Sequence, residues 1–114
     1  NFFCLGLSGL HIYEVSIPAT LDISAPQVSV IIVNYNGGDW LAKSVQSLLD
    51  QTLTAFECFI VDNGSSDGSM EGLPELDARF EIIMAGENLG FAVGNNLAAK
   101  KARAPWLALL NPDA

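Results

Sequence analysis

The sequence predicts an α/β protein with three layers built around a mostly parallel sheet. After Pro26, four apolar runs alternate with segments of helical or turn character. Such alternation is typical of right-handed crossovers that connect parallel strands. With 114 residues, half of them hydrophobic, the chain has the length of one domain and enough apolar side chains for a modest core.

A strand and a helix form the first unit of this pattern. Residues 28–36, VSVIIVNYN, are almost continuously apolar and rich in β-branched side chains, as in a strand buried on both faces. Two glycines at 37–38 end the strand, Asp39 is predicted to be the N-cap of the helix, and the helix is predicted to end near Gln51. The apolar residues that share one face of this helix are Leu41, Val45, Leu48 and Leu49.

The second unit is a strand over 56–61 that leads into a polar, glycine-rich turn. A short helical turn is predicted around Met70, and Pro74 interrupts it. Residues 80–90, FEIIMAGENLG, contain the third strand and the loop that follows it.

A helix over 91–103 and a last strand, WLALL at 106–110, complete the pattern, with Pro105 ending the helix. The basic residues predicted in the last helical turn, where they suit the helix dipole, are Lys100, Lys101 and Arg103. Asn95 and Asn96 are poor helix formers. Either the helix begins later than residue 91 or one of these amides points at a polar group.

Residues 1–25 form a leader to which the sequence assigns no function, ahead of a domain over 26–114. The leader is apolar but has no initial Met and no basic segment, so it does not resemble a signal peptide. An added strand is one explanation for it. No run of roughly 18 apolar residues is present, so no transmembrane helix is predicted.

The charge balance excludes several classes of protein. A net charge of -8, with only five cationic side chains, argues against nucleic-acid binding because phosphate contacts need a basic face. Cys4 and Cys58 are interpreted as two reduced thiols of a cytoplasmic protein, with a disulfide as the alternative. His11 has no cysteine or histidine cluster around it, so zinc is not indicated.

The four strand ends are rich in Asn, Asp and Gly. In parallel sheets, ligands bind beyond the carboxyl ends of the strands, and these four segments should meet there. Turn chemistry alone favours the same residue types at any single loop. Their presence at all four ends favours a binding site. The segments are 34–36, 62–67, 86–90 and 111–113.

This edge has carboxylates and amides but no Lys, Arg, His or Cys. A serine–histidine or cysteine–histidine nucleophile, a Walker-type phosphate loop and a phosphoacceptor receiver domain are therefore not predicted. A dinucleotide fold is not predicted either, because GFAVG does not match G-x-G-x-x-G and follows the third strand. Amides suit ligands that offer hydroxyl groups or base edges. Tyr35 is a candidate for stacking on a base, with a place in the core as the alternative.

A phosphate-bearing ligand at this edge needs a cation beside it, because like charges about 4 Å apart repel by ~4 kcal/mol at an effective dielectric of ~20. A divalent ion held by Asp113 and by the phosphates of the ligand meets this need, since Mg²⁺ is commonly bound by one or two carboxylates together with phosphate oxygens.

Four motifs carry a family resemblance over residues 27–114: VSVIIVNYN, FIVDNGSSDGS, ENLGFAVGNN and LLNPDA. In this order and spacing they resemble the donor-binding half of family 2 glycosyltransferases. The resemblance implies the GT-A fold and the transfer of a sugar from a nucleotide diphosphate sugar. Three of the motifs look most like the rhamnosyltransferase-like branch of polysaccharide and cell-wall synthesis.

For the nucleoside, the resemblance implies a site at the first two strand ends. Val33 and Tyr35 match positions that hold the base, by backbone and by ring. Asp62 and Asn63 match a pair that contacts the nucleoside and is usually spelt Asp-Asp. Because an asparagine can pair with the imide edge of uracil or thymine, a dTDP- or UDP-sugar is favoured over a GDP-sugar.

For the rest of the donor, the resemblance implies contacts from the third loop. Asn88, Gly90 and Asn95 match a segment that lies against the phosphates and the sugar. Gly94 stands where the family often has an arginine, which leaves less positive charge near the diphosphate.

For the metal, Asn-Pro-Asp at 111–113 matches the Asp-x-Asp motif of the family with its first acid replaced. Asp113 would hold Mn²⁺ or Mg²⁺, and Asn111 would add only an oxygen or a hydrogen bond.

The resemblance places the acceptor-binding half and the general base of inverting members beyond Ala114. No catalytic residue is therefore assigned to this chain, which is expected to be a donor-binding fragment that is inactive alone. The expected acceptor is a glycan or a lipid-linked molecule at the cytoplasmic face of the membrane. The alternatives are a non-catalytic module that forms a homo-oligomer through an exposed sheet edge and, less favoured, a nucleotidyltransferase, for which NYNGGDW lacks a basic residue.

Overall fold

The structure is a computed structural model that describes residues 26–50 and 55–110, together with the backbone of 10–14. In this part of the chain the order of elements is strand, strand, helix, strand, strand, helix, strand. The strands are β1 Leu10–Glu14, β2 Val28–Asn34, β3 Phe56–Asp62, β4 Phe80–Met84 and β5 Trp106–Leu110. The helices are α1 Asp39–Leu49 and α2 Phe91–Ala99.

The strands form one sheet in the order β1-β5-β2-β3-β4. Strands β2, β3, β4 and β5 are parallel, which confirms the predicted α/β class with its mostly parallel sheet. β1, from the leader, is antiparallel and pairs with β5. Asn34 lies beside Asp62, and Asp62 lies beside Met84, so the carboxyl ends of three neighbouring strands share one edge.

Apolar clusters cover both faces of the sheet. Every residue of β2 and β3 is buried, as the continuous apolar runs predict. One cluster joins alternate residues of these strands to Leu41, Val45 and Leu48 of α1. The other joins the apolar residues between them, Ile31, Val33, Phe59 and Val61, to Ala98 of α2. Burial raises the pKa of the Cys58 thiol in the first cluster, so this cysteine is a protonated apolar side chain.

The start of α1 differs from the prediction. Asp39 is the first residue of the helix, and the N-cap is Gly38, which makes no side-chain cap. Gly38 has a φ of 58°, a conformation that favours glycine over aspartate. The carboxylate of Asp39 still lies in the first turn, where the helix dipole favours negative charge. The predicted end near Gln51 lies outside the described residues, and the helix ends at Leu49.

The end of α2 also differs, because the helix stops at Ala99 and not at residue 103. Lys101 N–H and Ala102 N–H donate to carbonyls three residues earlier, which tightens the chain into a turn. Arg103 N–H donates to Glu57 Oε2 at 2.7 Å and is thereby removed from any helix. The basic residues predicted for the last helical turn therefore lie after the helix.

Around Met70 the chain forms a single turn, as the sequence suggested, with Gly72 N–H donating to the Gly68 carbonyl. Among the described residues, neither helix is long and apolar enough to span a bilayer.

Candidate functional site

The candidate site lies at the edge where β2, β3 and β4 end, and it is built by the loops that follow these strands. Sequence analysis placed four Asn-, Asp- and Gly-rich segments at this edge, and the structure brings three of them together. The fourth contains Asn111 and the predicted metal ligand Asp113, and both lie outside the described residues.

Asn34, the last residue of β2, is the centre of a buried hydrogen-bond network. Its Nδ2 lies 3.1 Å from Asp62 Oδ1, 3.0 Å from Ser65 Oγ and 2.9 Å from Ser69 Oγ. Its Oδ1 accepts from Gly37 N–H at 3.2 Å. Since an amide group has two hydrogens, only two of the three acceptors are served at any moment. The network joins the end of β2 to the loop after β3.

A second set of bonds joins the same two loops nearer the surface. Asn36 N–H donates to Ser65 Oγ at 2.9 Å, and Asn36 Oδ1 accepts from Ser66 N–H at 2.9 Å. Gly38 N–H donates to Asp67 Oδ2 at 3.0 Å. These bonds hold the two loops together along their length. Asn36 makes two of them in a left-handed conformation, with a φ of 51°.

Asp67 caps the turn that follows it. Its Oδ1 accepts from Ser69 N–H at 2.9 Å. The pKa of the Asp67 carboxyl is lowered, first by hydrogen bonds from Ser69 and then by the backbone N–H of Gly38. Both carboxylate oxygens are in use within the two loops.

Asp62 closes β3, and its side chain is 1% exposed. Its Oδ1 accepts from Asn34 Nδ2, and its Oδ2 accepts from Ser65 N–H at 3.2 Å. Its backbone carbonyl accepts from Ala85 N–H at 2.9 Å, which attaches the end of β4. In this structure the carboxylate holds the loops in place and does not face solvent.

Asn63 connects all three loops and is also 1% exposed. Its backbone N–H donates to the Asn34 carbonyl at 2.8 Å, and its Nδ2 donates to the Gly90 carbonyl at 3.1 Å. Its Oδ1 is buried, and no described residue donates to it. A buried acceptor without a partner costs about 1–3 kcal/mol, so a donor that reached this atom would recover that energy.

The third loop leads into the N-terminus of α2. Gly90 N–H donates to Asn88 Oδ1 at 3.0 Å, and Gly90, with a φ of 85°, is the N-cap of the helix. No side chain caps the helix and no acidic residue stands in its first turn. The N–H groups of that turn and the positive end of the helix dipole therefore face this edge, and no acidic side chain of the helix offsets them.

Asn95 lies inside α2, which begins at Phe91 as predicted. Its Nδ2 donates to the Phe91 carbonyl at 3.2 Å, and its buried Oδ1 has no described partner. Of the two explanations for this asparagine, a later start of the helix is excluded. The amide is bonded to its own helix and leaves one acceptor open.

The first loop presents an aromatic ring to solvent. Tyr35 is 49% exposed, which excludes the alternative that its ring belongs to the core. Val33, two residues earlier, has a buried side chain, so only its backbone could contact a ligand. Phe91 and Val93 at the start of α2 are also exposed, so apolar surface is available on two sides of the edge.

No cluster of His, Cys, Asp and Glu that could hold a metal ion occurs among the described residues. A cavity of about 770 Å³ lies at the opposite edge, near the amino ends of the strands, and is lined by Glu57, Arg79, Lys101 and Arg103 among others. Each of its three cations already pairs with a carboxylate. We therefore place the candidate site at the carboxyl edge.

Sequence analysis missed three residues that build the site. Ser65 and Ser69 supply hydroxyl acceptors, and Gly37 leaves room for the Asn34 amide, because a Cβ at this position would overlap Asn34 Oδ1. Ser65 belongs to segment 62–67, which was already assigned to the edge, whereas Ser69 lies two residues after it. Their roles depend on contacts more than 30 positions away, which the local pattern does not reveal.

The comparisons with known proteins agree on one family. The family model described as Glycosyl transferase family 2 matches residues 29–114. The glycosyltransferase TuaG of teichuronic acid biosynthesis in Bacillus subtilis is 37% identical over 91 residues, which are 77% of this chain and 36% of TuaG. The glycosyltransferase EpsH of the same organism is 31% identical over 80% of this chain and 27% of EpsH. The chain thus spans about a third of the length of these curated relatives.

Solved structures show the same fold at lower identity. TarS of S. aureus has a TM-score of 0.64 and 24% identity, over 76% of this chain and 16% of the TarS chain. The mannosyltransferase PcManGT of Pyrobaculum calidifontis, in complex with GDP-Man and Mn²⁺, has a TM-score of 0.64 and 21% identity, over 79% and 28% of the two chains. The fold is that of the GT-A glycosyltransferases, and the chain belongs to glycosyl transferase family 2.

Proposed function

We propose that this chain is the nucleotide-sugar-binding part of an inverting, metal-dependent glycosyltransferase. The donor in this proposal is a dTDP- or UDP-sugar with a rhamnose-like sugar, and the acceptor is a glycan or a lipid-linked molecule at the cytoplasmic face of a membrane. The observation that carries the proposal is the edge itself, where three loops are fixed to one another beside an uncapped helix N-terminus.

The nucleoside would lie at the ends of β2 and β3. The exposed ring of Tyr35 offers a surface for stacking, and the backbone of Val33 offers polar groups beside it. In this proposal Asn63 Oδ1 accepts the imide N–H of uracil or thymine, which would satisfy an acceptor that is otherwise unpaired. Because Asn63 is 1% exposed, the base must displace the groups that cover this atom. Asp62 holds the same loop in place through its bonds to Asn34 and Ser65.

The diphosphate would lie at the N-terminus of α2. Free N–H groups and a helix dipole attract anions, and this edge has no basic side chain among its described residues to do so. Asn88 and Gly90 shape the loop that leads into the helix, and the open Asn95 Oδ1 can accept from a sugar hydroxyl.

A divalent ion would supply the remaining positive charge to the diphosphate, and in this proposal Asp113 holds that ion. Asp62 is buried with both oxygens bonded, and Asp67 also has both oxygens bonded. Asp113 follows β5 by three residues, and Asn111 could add an amide oxygen beside it. PcManGT, which shares the fold, binds GDP-Man and Mn²⁺.

A second function, a non-catalytic module that forms a homo-oligomer, is supported by β4. This strand ends the sheet among the described residues, and Ile82 and Met84 on it are exposed. Exposed edge strands pair readily with other chains.

Calorimetric titration of the folded chain with dTDP, UDP and GDP, each with and without Mn²⁺, tests the proposed donor. We expect dTDP or UDP to bind more tightly than GDP and Mn²⁺ to strengthen the binding. Asp113→Ala should remove the effect of Mn²⁺. Glu75→Ala, which removes an exposed carboxylate elsewhere, should keep that effect.

Absence of nucleotide binding by the folded chain would contradict the donor proposal and favour the module. An unchanged effect of Mn²⁺ in Asp113→Ala would contradict the metal assignment alone.

A further inference from the structure

We infer that the side-chain amide of Asn63 is a positioning group that fixes the N-terminus of α2 relative to the ends of β2 and β3. The inference rests on the proposed function, in which the helix N-terminus is the diphosphate side of the site and the strand ends are the nucleoside side. It assigns to Asn63 Nδ2 a role separate from the reading of the base by Oδ1.

Asn63 is anchored on both sides of the site. Its backbone N–H donates to the Asn34 carbonyl at 2.8 Å, which fixes it to the end of β2. Its Nδ2 donates at 3.1 Å to the carbonyl of Gly90, the N-cap of α2. The same carbonyl accepts from Gly94 N–H at 3.1 Å, which is the first bond of the helix. The Gly90 carbonyl oxygen thus accepts one hydrogen bond from the loop after β3 and one from the helix.

Close packing supports the link that Asn63 makes between the strand ends and α2, which we call the clamp. A Cβ on Gly94 would lie 3.0 Å from a methyl group of Val33 and 3.4 Å from Asn63 Nδ2. The backbone of α2 therefore lies directly on the end of the sheet, and a side chain at position 94 would push the helix away from Asn63. The amide at 63 and the glycine at 94 therefore serve the same arrangement, since an added Cβ at 94 would reach the amide.

The chemistry of the amide is essential to the clamp. An ionised aspartate at position 63 would accept hydrogen bonds but could not donate one to Gly90. It would instead place a carboxylate oxygen about 3 Å from a carbonyl oxygen, where the two repel. It would still offer an acceptor to a base. Asn63→Asp therefore separates the two roles of the side chain.

The experiment compares Asn63→Asp with Asn88→Asp. Both variants add one negative charge to the site, but the new carboxylate at position 88 can still accept from Gly90 N–H, as the Asn88 amide oxygen does. Hydrogen exchange of the Gly94 amide reports the clamp without any ligand. Affinities for uridine and UDP, measured with the full chain, report the two sides of the site.

We expect Asn63→Asp to speed hydrogen exchange of the Gly94 amide by about tenfold, as the loss of one buried hydrogen bond predicts. We also expect the affinity for UDP to fall by about tenfold more than the affinity for uridine. Asn88→Asp should leave exchange at Gly94 unchanged, because its carboxylate keeps the bond to Gly90 N–H. Below the pKa of the new carboxyl, its O–H can donate to Gly90, so the exchange defect of Asn63→Asp relative to wild type should shrink at low pH.

Unchanged exchange at Gly94 in Asn63→Asp would overturn the inference, and so would an equal loss of affinity for UDP and for uridine in that variant. If wild type binds neither uridine nor UDP, the proposed function fails. Exchange at Gly94 then decides by itself whether Asn63 positions the helix.

Discussion

Single residues at the carboxyl edge act mainly by holding the loops together. Asn34 shows this most clearly, because its amide contacts the side chains of Asp62, Ser65 and Ser69 and the backbone of Gly37. Sequence analysis assigned Asn34 to the edge from its place after an apolar run. It could not assign the four contacts, since three of them join residues 28 to 35 positions apart.

The space beside Asn34 gives a first prediction. Gly37→Ala should destabilise the fold by about 1–3 kcal/mol, because the new Cβ would overlap Asn34 Oδ1 and the amide must move. Urea unfolding followed by circular dichroism measures the change. Gly72→Ala is the control, since its Cβ would make only ordinary contacts at 3.6 Å or more, and its midpoint should stay close to wild type. Equal midpoints for the two variants would contradict the role of Gly37.

The carboxyl of Asp67 gives a second prediction, about pH. Hydrogen bonds from Ser69 and Gly38 lower the pKa of Asp67 in the folded state. A carboxyl with a lowered folded pKa stabilises the fold above its unfolded pKa of about 3.9, and the contribution is lost as pH falls through the folded pKa. Asp67→Asn should therefore show a smaller loss of stability than wild type between about pH 4 and the folded pKa. Identical acid curves, measured by thermal unfolding at each pH, would rule out this contribution.

At the scale of elements, tertiary contacts decide where helices begin and end. The periodicity of the sequence located both helices, and α2 begins where it was predicted. The sequence placed its end four residues too late because Glu57, on β3, binds the backbone of Arg103. Glu57 also accepts from Ser29 Oγ at 2.5 Å, and Ser29 Oγ accepts from Ala104 N–H. A distant carboxylate thus sets the boundary.

The hydrogen bonds that Glu57 accepts give a third prediction. Glu57→Ala should cost about 2–4 kcal/mol of unfolding free energy, because it leaves the buried Ser29 hydroxyl and the partly buried Arg103 N–H without their acceptor. Arg103→Ala should cost only about 0–1 kcal/mol, since the Arg103 side chain is 69% exposed and its ion pair with Glu57 is screened by water. Urea unfolding of the two variants measures the difference, and a larger effect of Arg103→Ala would show that the ion pair dominates.

At the scale of the whole molecule, sequence analysis predicted the layers and the parallel strands correctly, because buried parallel strands are recognisable as continuous apolar runs. It also collected the segments of the edge, since the topology brings the strand ends together. It did not establish the antiparallel pairing of β1 with β5, because the sequence of the leader carries no comparable pattern. At the other end of the sheet, β4 has no neighbour on its outer side among the described residues.

The outer edge of β4 gives the last prediction, about self-association. The strand has no proline, no glycine and no lysine, and Met84 on it is 64% exposed. Its one charge, Glu81, is neutralised by Lys101 at 2.7 Å. Edges with these features pair with a second copy, whereas a lysine on the strand discourages pairing.

Sedimentation velocity over a range of concentrations should therefore show dimers or larger species of wild type, and Met84→Lys should shift the population toward monomer. Val93→Lys adds the same charge to an exposed residue on α2 and should leave association unchanged. If both variants dissociate equally, net charge and not the strand edge controls assembly, since wild type carries a charge of -8. A wild type that is monomeric at every concentration would remove the support that β4 gives to the non-catalytic module, and the donor site would remain the better account of the hydrogen-bonded loops at the carboxyl edge.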